Sequence, residues 1–152
     1  YIGSISDQWF MDGITDDARI YNRALSTAEV AQLYTQGGGK INKTDLIRAQ
    51  LRNGLVGHWT FDGKDTTATT VTDKSGSGNN ELRTGSTGVA IGKIGQAMRF
   101  YGTDSYVSTT DSAALRMTSA ITLSTWVKSL GANSSAGLMY KGSFASAQGD
   151  YQ

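Results

Sequence analysis

Residues 12–34 read DGITDDARIYNRALSTAEVAQLY, and the change of period within this stretch decides the fold. Apolar side chains at Phe10, Ile14, Ala18 and Ile20, interrupted by Asp12-Gly13, predict a strand with a bend. The pattern then switches. Ser26-Thr27-Ala28-Glu29 is a capping box, in which the Ser hydroxyl accepts from the Glu29 amide and the Glu carboxylate reaches back. Val30, Leu33 and Tyr34 follow at i, i+3 and i+4, one apolar stripe, and Gly37 supplies the stop. The spacing predicts one helix over 27–36. A helix of two to three turns is too short to stand alone in water, so it must pack on a sheet.

The rest of the chain is β-like. Leu55, Trp59 and Phe61 stand against Val56, His58 and Thr60; Ala97–Phe100 and Tyr106–Thr109 read as strands; Leu138–Tyr140 is a further short one. In ITLSTWVK, Ile121, Leu123, Thr125 and Val127 alternate with Thr122, Ser124, Trp126 and Lys128. The 19 Gly and the absence of Pro place the turns on Gly, Asn and Asp, as in the polar stretch DKSGSGNN at 73–80. Short strands with turn signals at near-regular spacing predict an all-β sandwich with one helix.

Composition excludes several roles. Net charge is +1, so nothing favours electrostatic capture of nucleic acid or an anionic membrane. No apolar run approaches the roughly 18 residues of a membrane span. The chain has no Cys, which rules out disulfides and thiolate metal sites. Tyr1 opens inside one expected strand and Tyr151-Gln152 closes inside another, and both ends are read as cuts in a longer protein.

The segments GLVGHWTFDG, DKSGSGNN, GKIGQAMRFYGTDSYV and ITLSTWVK follow one another in the order that resembles the opening half of a laminin G-like domain, of the concanavalin A-like jelly-roll superfamily. YIGS and WFMDGITDDARIYNRALSTAEVAQLY resemble the closing segment of the same family. The resemblance implies the end of one repeat at 1–36, a linker at 37–53 and the first part of a second repeat at 54–152, as in tandem-repeat bacterial surface proteins. It also implies that the last and first strands lie side by side. Ile14–Tyr21 and Leu55–Phe61 are therefore expected to pair antiparallel in a single, incomplete sandwich.

Catalysis finds little footing. The chain has two Glu, Glu29 and Glu81, and one His, His58. Glycoside hydrolysis needs two carboxyl groups flanking one bond, and the Glu-x-Asp-x-x-Glu strand of jelly-roll glucanases is absent. Glu29 is explained by its cap. GGGKINKT lacks the Lys-Ser/Thr ending and the preceding strand of a phosphate loop. The chain is expected not to be an enzyme.

Binding is better founded. A sugar site stacks an aromatic face on the pyranose ring, and Trp126 is the leading candidate, with His58 and Tyr106 behind it; the competing reading makes Trp126 and Trp59 core aromatics. Asp16 and Asp17 are adjacent, so strict alternation sends one carboxylate toward the core unless a bulge or a metal accommodates it. The resemblance implies a structural calcium near the first and last strands, with Asp16 as a ligand; Asp62 and Asp73 add oxygens of the kind calcium takes. The competing reading pairs Asp16 with Arg19 or Arg23, seats Asp62 in an Asp-Gly turn and has Asp73 cap its own turn. The expected function is a non-catalytic module of a secreted or cell-surface bacterial protein, binding a glycan or an extracellular protein beside neighbouring repeats. A spacer repeat without ligand and a sugar-targeting module of a larger enzyme are the alternatives.

Overall fold

In the computed structural model, residues 1–5, 9–37, 50–131 and 137–142 are described. The linker residues 38–49 and the strand expected at the C-terminal end lie outside them. In chain order the elements are β1 (Ser4–Ile5), β2 (Trp9–Phe10), β3 (Asp12–Tyr21), α1 (Thr27–Gly37), β4 (Leu55–Trp59), β5 (Thr70–Val71), β6 (Glu81–Thr84), β7 (Thr87–Ile91), β8 (Gln96–Tyr101), β9 (Tyr106–Ser108) and β10 (Thr122–Ser129). The protein is an all-β sandwich with one short helix.

Strand β3 is the spine. One edge carries β10 antiparallel, from Thr122↔Tyr21 to Ser129↔Gly13. The other edge is shared: β8 pairs with Asp12–Thr15 and β4 pairs with Ala18–Tyr21, both antiparallel. The β3–β4 ladder is the pairing of Ile14–Tyr21 with Leu55–Phe61 that was expected. It joins two segments separated by the helix and the linker. β7 completes the sheet beyond β8. The facing sheet has the order β5-β6-β9, and Ile2 extends it by bridging Val107 and Met139.

The core fills the space between these sheets. Ala18, Trp59, Phe61, Met98 and Phe100 meet Val71, Val107 and Ile2, all at most 2 % exposed. Trp59 donates its indole N–H to the Asn79 carbonyl at 2.9 Å, so its one polar atom is satisfied inside.

The bend in β3 is not at Asp12-Gly13. Ser124 pairs with Arg19 and Trp126 pairs with Asp16, so Asp17 and Ala18 together oppose Thr125. This is a β-bulge, and Asp17 takes a left-handed φ of 51°. Met11 and Thr15 face the core before the bulge, and Ala18 and Ile20 face it afterwards. The bulge accommodates the adjacent carboxylates by turning Asp16 and Asp17 both to the outer face. Ile14, whose partner is Arg99 between the core residues Met98 and Phe100, also faces outward and does not share the face of Ala18. The alternation read in β10 holds: Leu123 and Val127 pair with the inward Ile20 and Thr15, and Trp126 lies on the outer face with Asp16.

Helix α1 begins as its capping box requires. Glu29 N–H donates to Ser26 Oγ at 3.4 Å, and Ser26 N–H donates to Glu29 Oε2 at 2.9 Å. Arg23 forks onto the same carboxylate at 3.0 and 2.5 Å. The arm before the helix is tied to β10, because Thr122 Oγ1 donates to the Arg23 carbonyl at 2.8 Å and accepts from Leu25 N–H at 3.2 Å.

Asp17 holds the left-handed backbone and meets Arg19 at 2.9 Å and His58 at 2.7 Å. Asn tolerates that backbone and keeps a hydrogen-bonding oxygen; Val does neither. We expect Asp17→Val to lose about 3 kcal/mol or more in urea unfolding, and Asp17→Asn less than half of that. Equal losses would mean that the bulge makes no demand on the residue.

Candidate functional site

Between the β8 and β4 ladders, Asp16 and Asp17 have no strand partner on that edge of β3. The gap is filled by two chain segments. One is the exit of β4 through Thr60–Asp62, and the other is the turn Gly92–Gly95 that leads into β8. Phe61 holds a left-handed φ of 58°, a strained setting for a bulky residue. Its ring is buried in the core, and the next residue, Asp62, is delivered to the turn.

Two carboxylates grip this turn. Asp16 Oδ2 accepts from Ile94 N–H at 2.7 Å, and Asp62 Oδ1 accepts from Gln96 N–H at 2.8 Å. Gln96 Oε1 in return accepts from Gly63 N–H at 2.7 Å. The approach is close enough to demand glycine. A Cβ on Gly92 would lie 2.6 Å from Asp16 Oδ2, and one on Gly95, at φ 72°, would collide with Asp62 Oδ1.

Asp16 is 2 % exposed and its Oδ1 has no hydrogen-bond partner. Burial pushes its carboxyl up to about 6, against the pull of the Ile94 amide, and the charges of Asp17 and Asp62 push the same way.

Trp126 stands on the same outer face. The Lys93 ammonium from the turn lies 5.5 Å from its ring centroid, the Tyr34 ring is 5.6 Å away, and Gly37 abuts the indole so closely that no side chain fits there. Trp126 is therefore half-buried beneath the end of α1 and beside the turn, while Trp59 alone of the two is a core aromatic.

Next along this face is a buried ionic set. His58 Nε2 and Asp17 Oδ1 are 2.7 Å apart, Arg19 meets Asp17 Oδ2 at 2.9 Å, and Arg19 also donates to Gln36 Oε1 of α1 at 3.3 Å. Burial alone would raise the Asp17 carboxyl, but hydrogen bonding to His58 and the charge of Arg19 outweigh it and hold the carboxyl below its ordinary value. Arg19 pairs with Asp17, not with Asp16.

The structure thus brings together Asp16, Asp62 and Trp126, with His58 adjoining them through Asp17. It does not add the other two candidates. Asp73 gives its carboxylate to the N–H groups of His58, Ser75 and Asn79 at 3.0, 2.8 and 2.9 Å and to Ser75 Oγ at 2.8 Å, capping its own turn. Tyr106 alternates with the core residue Val107 and so lies on the outer side of the opposite sheet, against Tyr1 and Phe10. Sequence reasoning missed Lys93 and the two turn glycines. The signal was present in the spacing Gly92-x-x-Gly95 directly before a strand.

Asp16 and Asp62 are hard oxygen donors, and the orphaned Asp16 Oδ1 suits a cation of the calcium type. Among the described residues no group of three or more His, Cys, Asp or Glu side chains is arranged to hold a metal. Nor, among them, is any helix long and apolar enough to cross a membrane. Compared with family models, curated proteins and solved structures, the chain matches none.

The raised Asp16 carboxyl sets a pH dependence. The folded protein keeps a proton that the unfolded chain releases near 3.8. Its contribution to stability is complete below that pH and is lost as pH rises through about 6. In chelator-treated protein, the melting temperature of Asp16→Asn should gain on the wild type between pH 4 and 7. Parallel pH profiles would show that Asp16 is not held protonated.

Proposed function

We propose that this chain is a non-catalytic binding module, taking a glycan or an extracellular protein ligand, within a secreted or cell-surface bacterial repeat protein. The observation that carries the reading is the convergence of Asp16, Asp62 and Trp126, distant in sequence, around the single turn Gly92–Gly95. A partly exposed indole offers a face on which a sugar ring stacks, and Asp62, the more exposed of the two carboxylates, offers an acceptor for its hydroxyl groups. The motif order that resembles a laminin G-like jelly roll supports the same reading, as does the all-β sandwich.

Calcium belongs to the proposal as a structural ion. Asp16 and Asp62 would hold it, and it would supply the positive charge that the buried Asp16 carboxylate lacks. Asp73 is left out, because its oxygens are engaged in their own turn.

Calcium titration monitored by thermal melting tests the ion. Millimolar calcium should raise the melting temperature by several degrees, chelation should reverse the rise, and Asp16→Asn should abolish it. A glycan array probed with and without calcium tests the ligand, with Trp126→Ala expected to lose at least tenfold in retention. No retained glycan and no calcium shift would favour a spacer repeat.

A further inference from the structure

A second site lies inside the sandwich, on the core face of the large sheet away from α1. A cavity of about 710 Å³ is lined by Ile20, Trp59, Leu115, Leu123, Met139 and Glu81. Its volume is in the range of small-molecule sites. Its walls are largely apolar, with Thr109, Thr110, Asp111, Arg116 and Lys141 at the rim and the buried Glu81 as the further charged group. Glu81 pairs with Val71 across β5–β6 and therefore faces inward. It is 2 % exposed, and its Oε2 is buried with no hydrogen-bond partner.

A buried carboxyl left unsatisfied is costly, and its natural complement is a cationic donor. The cations at the rim are engaged elsewhere. Arg116 pairs with Asp111 at 2.6 Å, and Lys141 Nζ donates to the Leu115 carbonyl. The backbone nitrogen of Tyr1 donates to the Tyr140 carbonyl at 2.8 Å. The Asp73 carboxylate adds negative potential at Glu81.

We propose that this cavity is a binding site for an organic ammonium group carried on an apolar body, with Glu81 as its counter-ion and the apolar walls taking the hydrocarbon. Burial raises the Glu81 carboxyl to about 8. An alkylammonium can bind only the carboxylate, so below pH 8 binding should release close to one proton.

Calorimetry with n-hexylamine and n-hexanol tests this. Hexylamine should bind the wild type, Glu81→Gln should weaken it at least tenfold, and hexanol should not distinguish the two proteins. Affinity for hexylamine in the wild type should rise by up to about tenfold per pH unit from 6 to 8, a readout that stands even if Glu81→Gln fails to fold. No hexylamine binding, equal binding of amine and alcohol, or a flat pH profile would overturn the proposal.

Discussion

The structure depends on one shared edge. β3 gives its whole length on one side to β10, and on the other it divides between β8 and β4. Two strands cannot occupy one edge without a junction, and at that junction the peptide groups of Asp16 and Asp17 face no ladder. Around it lie the bulge, the left-handed Asp17 and Phe61, the paired aspartates and the glycine turn. Without Asp17 the inward positions from Met11 to Ile20 would alternate without a break. The extra residue keeps both adjacent carboxylates out of the core, Asp16 against the Gly92–Gly95 turn and Asp17 against His58 and Arg19.

Burial and partners then set the same chemical group to different states. Glu29 is drawn down to about 2 by the Arg23 fork and the Ser26 cap. Asp16 and Glu81 are pushed up to about 6 and about 8, chiefly by burial. Glu29 is a structural acid whose role ends with the helix cap. Asp16 and Glu81 are different, because each keeps a buried oxygen without a partner. Such atoms are where a folded protein has room for a ligand to add something.

Much of this was legible beforehand. The capping box named the helix, since it is a local device and its partners are three residues apart. The alternation in ITLSTWVK survived intact, because β10 contributes no extra residue to its ladder. The β3–β4 pairing was reached through the motif order. Legibility failed within β3. Ile14 was grouped with Ala18 and Ile20, yet it faces the other way, because a bulge inverts the period and a sequence carries no mark of which residue will be the extra one. Among the candidate ligands, Asp16, Asp62 and Trp126 converge, while Tyr106 and Asp73 do not.

The sequence by itself determined the helix and its cap, the turn residues, the β3, β4, β8, β9 and β10 strands and the class of an all-β sandwich; it did not mark β5, β6 or β7, and Leu138–Tyr140, read as a strand, forms only a bridge at Met139. The marked elements follow from interactions between residues a few positions apart, and such interactions are written in composition and period. Tertiary structure decided which side chains share a place. Asp16, Asp62, Lys93 and Trp126 come from four separate segments, and Glu81 becomes a buried acid only because β6 turns it toward the opposing sheet. Those outcomes depend on long-range register, and a single inserted residue in one strand was enough to redirect them.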